Sequence, residues 1–170
     1  MVYARGMTPE DLTRFLRHSI PLLPSVELTA LHAAPERVVL HAPLAINRNH
    51  HQTAFGGSLA LVGILSGWAL LHVALQAEGL DAALVVQKTE IGYLQPVTED
   101  LVAETRRPEA GWDEFVSRLR QRGRARIELY TRIAAGDADG VQLKGTYAAV
   151  LPAARQDGHT QEPTSERAAS

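Results

Sequence analysis

The residues best suited to chemistry fall in one run: Asn47-Arg48-Asn49-His50-His51-Gln52-Thr53-Ala54-Phe55-Gly56-Gly57-Ser58-Leu59. Polar side chains crowd its first half, two glycines follow, and a long uncharged helical pattern begins. The first N–H groups of a helix have no partner within it and carry partial positive charge. Glycine lets a ligand oxygen approach that backbone closely. The run therefore reads as a site for developing negative charge, as on a thioester carbonyl. Asn47, Asn49 and Thr53 supply neutral side-chain donors, and Phe55, Gly56, Gly57 and Ser58 form the helix start that would hold the thioester.

The elements that must position this run are legible on both sides of it. Thr8, Pro9 and Asp11 match an N-cap, N1 and N3, so a helix is predicted from there, with Leu12, Phe15, Leu16 and Ile20 as its apolar stripe. Pro21 and Pro24 end it. Val26 to His32 and Arg37 to Leu44 read as strands. The long helix follows, ending near Gly79. Ala83 to Leu94 and Leu101 to Arg107 read as strands, each closed by a proline. Gly111 to Arg122 is ambiguous: Trp112, Phe115, Val116 and Leu119 have helical spacing, yet a strand after a turn is also open. Arg124 to Ala134 and Val141 to Leu151 read as a hairpin with residues 136–140 as its loop. Consecutive strands with short loops favour an antiparallel sheet. One uncharged helix needs that sheet curved around it, which is an α+β hotdog arrangement.

The composition bounds the rest. The chain has 170 residues, 45% of them hydrophobic, which suits one folded domain over residues 1–152. Residues 153–170 are polar and free of aromatics, and are expected to be disordered. There is no cysteine, so disulfides and thiolate metal sites are excluded, and a reducing cytoplasm is the expected location. No apolar signal-peptide core lies within Met1 to Arg17. Ser58 to Gln76 carries no Asp, Glu, Lys or Arg and approaches the ~20 residues that span a bilayer. The strands on either side favour a helix buried in its own sheet over a membrane span. On that reading Gly63 and Gly67 permit close packing of the sheet or a partner helix.

The run Asn47-Arg48-Asn49 … Thr53-Ala54-Phe55-Gly56-Gly57-Ser58-Leu59, followed by Ser66-Gly67-Trp68-Ala69-Leu70-Leu71, resembles a bacterial hotdog family labelled as thioesterases. In some bacteria that domain is fused behind a GNAT acetyltransferase. Ile91-Gly92-Tyr93-Leu94-Gln95-Pro96-Val97, Arg122-Gly123-Arg124-Ala125-Arg126 and Gly145-Thr146-Tyr147 share the likeness, which runs from about residue 8 to 152. The resemblance implies decarboxylation of malonyl-acyl carrier protein to the acetyl form, which primes fatty acid synthesis. It implies no cofactor beyond the phosphopantetheine of acyl carrier protein or coenzyme A that carries the substrate. It also implies a homodimer or higher homo-oligomer with sites between subunits.

Two thioester reactions make different demands on these residues. Hydrolysis needs a base that activates water, or a carboxylate nucleophile. Many hotdog thioesterases place an acid in the first turns of the central helix. Here Ser58 to Leu65 contains none, and the first acid after the glycines is Glu78, at the far end of the helix. Glu90, on a later strand, remains open to the site. Decarboxylation of a malonyl thioester needs no base to begin. It needs donors for the enolate oxygen, each typically worth ~3 kcal/mol in the transition state, and a group that holds the carboxylate out of the thioester plane. An Asn- and Thr-rich site without acids fits that better. Acyl-thioester hydrolysis is the runner-up, and a non-catalytic acyl-thioester-binding module the third reading.

Each residue also has a plainer role open to it. Asn47 and Asn49 suit a turn as well as a site, and Thr53 suits a cap. Phe55 reads as core packing. Ser58 reads as a helix cap, because no Gly-x-Ser-x-Gly elbow surrounds it. His51 is a candidate acid that protonates the product carbanion, His50 is expected in solvent, and His72 reads as a core or interface histidine. No His-Glu-x-x-His or equivalent ligand set occurs, so no metal is expected. Arg122, Arg124 and Arg126, within a longer basic series, are candidates for docking an acidic acyl carrier protein or coenzyme A phosphates. A solvated face is equally open to them. Nucleic acid is not expected: net charge is −2 and no aromatics interleave the arginines.

Overall fold

The computed structural model describes residues 6–152; the tail from 153 to 170, expected to be disordered, lies outside them. Helix α1 (Pro9–Ser19) starts on a capping box. Thr8 Oγ1 accepts from Asp11 N at 3.1 Å, and the Asp11 carboxylate accepts from Thr8 N and Oγ1. Its buried face is Leu12 and Leu16, while Phe15 stands to one side, stacked on His72 with ring centroids 4.4 Å apart. The chain then departs from expectation. Leu23–Val26 forms a 3-10 turn started by Pro24, and Glu27 takes φ 52°, so the first strand, β1 (Thr29–Ala34), begins three residues late.

Strand β2 (Arg37–Ala42) stops at Pro43, which has no N–H to give a sheet ladder. A four-residue helix, α2 (Leu44–Asn47), replaces the expected strand end; the Asp100 carboxylate accepts from Leu44 N at 2.9 Å. The central helix α3 (Gly56–Ala77) leads to β3 (Ala83–Tyr93) and β4 (Leu101–Arg106). The ambiguous segment is helix α4 (Trp112–Arg122), whose spacing buries Trp112, Phe115, Val116 and Leu119 on one face. Gly123 ends it at φ 69°, donating to Leu119 O. β5 (Arg124–Ala135) and β6 (Ala138–Val150) are longer than predicted; only Gly136 and Asp137 remain as the hairpin turn.

All strand pairs are antiparallel and their order is β1-β2-β4-β5-β6-β3. The sheet packs all six strands against α3, the hotdog arrangement. This burial accounts for the absence of charge on α3. The helix is long and apolar enough to cross a membrane, but 67% of its most apolar window is buried within the protein. Gly63 and Gly67 serve this packing. A Cβ on Gly63 would stand 3.1 Å from Leu143 Cδ1, and one on Gly67 would overlap the Tyr147 hydroxyl, which donates to Ile64 O at 2.9 Å. Among the described residues, one polar cluster lies in the core: Thr105 Oγ1 donates to Ser66 Oγ at 2.8 Å and lies 2.6 Å from Thr131 Oγ1. These bonds satisfy the buried hydroxyls.

The sheet order leaves β3 at one edge. Its alternation is fixed by β6. Leu143 faces the helix, so Lys144 and its partner Glu90 face outward. Outward-facing Arg124 and Arg126 on β5 lie opposite Val150 and Ala148, which in turn pair with Ala83 and Val85 at the start of β3.

Candidate functional site

The loop between α2 and α3 is a small closed turn, and Asn49 closes it. Asn49 N donates to Thr53 O at 2.8 Å, and Arg48 bridges Ala54. Asn49 Oδ1 accepts from His51 N at 2.8 Å and Thr53 N at 3.3 Å, while Nδ2 donates to Thr53 Oγ1 at 3.0 Å. Gln52 takes φ 64° to complete the turn. Because Thr53 Oγ1 accepts from Asn49, its own O–H remains free to donate.

Asn47 is a different kind of residue. It is 2% exposed, and its amide donates to Pro43 O at 2.8 Å and Val26 O at 3.1 Å. Its Oδ1 has no partner among the described residues. Asn47 therefore ties α2 to the 3-10 turn, and its backbone oxygen accepts from Phe55 N at 2.7 Å. Ala54 N donates to Val97 O at 2.8 Å. These bonds fix the approach to α3 from both sides.

Phe55 is the N-cap of α3, and no side chain caps the helix. Ser58, expected as the cap, is instead the third helical residue. The cause is Phe55: its extended backbone (φ −67°, ψ 131°) starts the helix at Gly56, and Phe55 O accepts from Leu59 N at 3.0 Å. The N–H groups of Gly56, Gly57 and Ser58 consequently have no acceptor within the helix. Phe55 is not in the core either: it is 55% exposed, and its ring lies over Gly57, where a Cβ would overlap it. The ring of Tyr93 lies over Gly56, and its hydroxyl donates to Gly56 O at 3.0 Å. Tyr93 was not singled out in the sequence. The signal that marks it is an aromatic residue ending a strand just ahead of Pro96, but no spacing rule links it to a helix start 37 positions earlier.

The other candidates are placed as follows. His50 and His51 are exposed, with ring centroids 3.8 Å apart, beside the Asn49 turn. His72 lies in a cluster with Phe15 and Trp68, their ring centroids 4.4 and 5.3 Å from its own, and burial pushes its imidazole below the usual histidine range, opposed by Asp81. Glu90, left open by the sequence, faces away from α3 and pairs with Lys88. Asp100, in the loop after Val97, is occupied: besides Leu44 N it meets His41 Nε2 at 3.1 Å. The Leu44 amide, then His41, hold its carboxyl below the ordinary aspartate range.

Arg118 and Arg120 pair with Glu114 and Glu78, whereas Arg122, Arg124 and Arg126 make no ion pair among the described residues. The three unpaired arginines do not meet the helix start within one chain. They sit by the Ala83 end of β3 and Tyr93 is at its other end, an 11-residue strand away, roughly 33 Å at the usual rise per residue. Asn49, Thr53, Phe55, Gly56, Gly57 and Ser58 are brought together; the arginines are not.

This geometry can be set beside known proteins. A family described as "Putative thioesterase (yiiD_Cterm)" matches residues 9–151. A protein of unknown function from Chlorobaculum tepidum superposes with TM-score 0.79 at 26% identity, over 86% of this chain and 99% of that one. A protein from Shewanella oneidensis described as a putative thioesterase gives TM-score 0.75 at 26% identity, over 84% and 96%. A probable thioesterase from Pseudomonas aeruginosa gives TM-score 0.73 at 20% identity, over 86% and 100%; at that identity the likeness speaks for the fold alone.

Proposed function

The chain belongs to the family described as "Putative thioesterase (yiiD_Cterm)", and from that membership we propose an acyl-thioester enzyme whose reaction is decarboxylation of a malonyl thioester. Membership carries the coarser part: a thioesterase-type enzyme for substrates on coenzyme A or acyl carrier protein. The finer part rests on one observation. The helix start offers unpaired N–H groups and its first turn carries no acid, while Glu90 faces away from α3 and Asp100 is bonded to Leu44 N and His41.

The proposed reaction uses these groups in order. The thioester oxygen sits on the N–H groups of Gly56, Gly57 and Ser58. The Thr53 hydroxyl, oriented by Asn49, donates to the malonyl carboxylate and holds it out of the thioester plane. The bond between the carboxylate carbon and the α-carbon breaks, carbon dioxide leaves, and the electron pair becomes an enolate on the thioester oxygen. The α-carbon then takes a proton from His51 or solvent to give the acetyl thioester. Asn47 acts through the backbone, holding Phe55.

A homodimer completes this reading. β3 is an eleven-residue edge strand with Val85 and Val86 exposed, an edge that natural proteins pair or protect. Antiparallel pairing of two β3 edges sets the arginine end of one subunit beside the Tyr93 end of the other. That places basic side chains near each helix start, where an acidic carrier protein or coenzyme A phosphates would dock. A cytoplasmic location suits these carriers. Hydrolysis is the second reading, favoured by the family's own description.

The test is to incubate the protein with malonyl-acyl carrier protein and weigh the carrier. Loss of one carbon dioxide supports decarboxylation. Appearance of the free thiol carrier supports hydrolysis and removes the first reading. Binding with no change of mass supports a non-catalytic module.

A further inference from the structure

We propose that a groove on the outer face of the sheet, away from α3, binds a small aromatic monocarboxylate at a site separate from the helix start. Strands β3, β4, β5 and β6 line this groove, whose volume is about 700 Å³, a size common for small-molecule sites. Strand alternation places its walls. Leu143 faces the helix, so Gln142 and Lys144 face outward, and the register carries Tyr130 and Arg132 of β5 and Gly92 of β3 onto the same face. The groove is deepened where this array lacks a side chain. Gly92 lies opposite Gln142, and a Cβ built on it would meet only Leu94 Cδ2 at 3.7 Å and Gln142 O at 3.9 Å, both ordinary contacts.

Arg132 is the lining group whose donors are unused. Its guanidinium lies 3.7 Å from Asp139 Oδ1 and 4.0 Å from Glu104 Oε2, too far for hydrogen bonds, and it makes no side-chain hydrogen bond among the described residues. Both carboxylates are bonded elsewhere. Glu104 accepts from Arg106 Nε at 2.6 Å and from Arg37 at 3.3 Å, and Asp139 accepts from Gln142 Nε2 at 3.0 Å. A guanidinium with a free fork of N–H groups fits a carboxylate through two parallel bonds. Charge selects the valence of the ligand. The ion pairs across this face join five cations to four carboxylates. A monoanion neutralises the one positive charge left over, whereas a phosphate dianion exceeds it. Tyr130 supplies a flat apolar wall. It is 66% exposed and precedes Arg132 by two positions on one strand, so the two side chains rise from the same face about 7 Å apart. A ring laid on Tyr130 can therefore set its carboxylate on Arg132.

The test titrates the nitrogen-15-labelled full chain by NMR with phenylpropionate, with its neutral amide, and with propionate, which lacks the ring. Phenylpropionate is expected to shift the Gly92 and Leu143 amides and the Arg132 side-chain N–H to saturation. The amide and propionate are each expected to bind about tenfold more weakly. Arg132→Gln and Tyr130→Leu should weaken phenylpropionate by a similar factor, and Gly92→Leu, which fills the gap, should abolish its binding. Unmoved resonances outside the groove show that each variant is folded; should Gly92→Leu not fold, the two exposed positions still decide. No saturable shift in the wild type would overturn the site. Equal binding of the neutral amide, or unchanged affinity in both Arg132→Gln and Tyr130→Leu, would also overturn it. Tighter binding of inorganic phosphate than of phenylpropionate would overturn the monocarboxylate. Groove shifts that grow with protein concentration alone, with a matching rise in light-scattering mass, would assign the face to a second copy and overturn the ligand. No thioester enters these titrations, so their outcome is independent of the proposed reaction.

Discussion

Asn49→Asp separates the two roles of the Asn49 amide. Asn49 Oδ1 accepts from His51 N and Thr53 N, and a carboxylate at this position keeps both bonds. The Nδ2 donation to Thr53 Oγ1 is lost. The Thr53 hydroxyl then turns to donate to the new carboxylate and is withdrawn from the substrate, and a negative charge stands where the malonyl carboxylate would bind. One neutral hydrogen bond is worth about 1 kcal/mol net, and the exchanged partner offsets part of it, so stability should change by less than ~1 kcal/mol. Turnover should fall far more, by about a hundredfold, the scale expected when a reacting group is misplaced by an ångström. Asn49→Ala loses the whole turn, with a cost of about 2–3 kcal/mol from its three stronger bonds and a similar or larger drop in turnover. His50→Ala, outside this network, should stay within about twofold of wild type. Denaturant unfolding gives the stability and carrier mass spectrometry the rate. Wild-type turnover in Asn49→Asp, or equal effects of Asn49→Ala and His50→Ala, would refute the proposed roles.

Other perturbations probe the frame and the carrier surface. Gly67→Ala forces a methyl into the Tyr147 hydroxyl and should cost about 1–3 kcal/mol in denaturant unfolding; an unchanged midpoint would contradict this packing. His72 has a folded pKa below its unfolded value of about 6.5, so the unfolded chain binds a proton that the native one resists. Stability should therefore decline as pH falls below about 6.5, levelling off only beneath the depressed folded pKa, and His72→Phe should remove that slope from thermal unfolding curves. Val86→Lys on the β3 edge should shift the light-scattering mass from dimer toward monomer; an unaltered dimer would rule out pairing through this edge. Arg124→Glu with Arg126→Glu should raise KM for the carrier while leaving kcat near wild type, with the difference shrinking at high salt; a loss confined to kcat would argue against docking.

Sequence patterns with strong local causes were readable. The Thr8–Asp11 capping box, the uncharged central helix and the alternation of β5 all rest on neighbours within a few positions, and each is present. Expectations that depended on distant partners fared less well. The strand predicted from Val26 gave way to a 3-10 turn because Pro24 and a left-handed Glu27 suit that turn, and Asn47 Nδ2 fastens it by donating to Val26 O. The strand predicted through Leu44 stops before Pro43 because the short helix that follows depends on Asp100, 56 residues after Leu44. Ser58 has a capping residue's chemistry, yet the pull of Asn47 O and Val97 O on Phe55 and Ala54 sets the cap three residues earlier, at Phe55. Phe55 looked like core because its hydrophobicity is visible and the glycine it covers is not. Glu90 could be assigned a face only once the register of β3 with β6 was known. Tyr93 illustrates the same limit: a strand end meets a helix start only in three dimensions.

In the proposed reaction, neutral donors at the Gly56–Gly57 helix start, with Thr53 beside them, break a carbon–carbon bond and leave the thioester intact. The most direct measurement follows malonyl-acyl carrier protein labelled with carbon-13 at its free carboxylate by NMR. The label is expected to leave as carbon dioxide and bicarbonate while the carrier remains acetylated. Label released as intact malonate, with the carrier returned as free thiol, would contradict it.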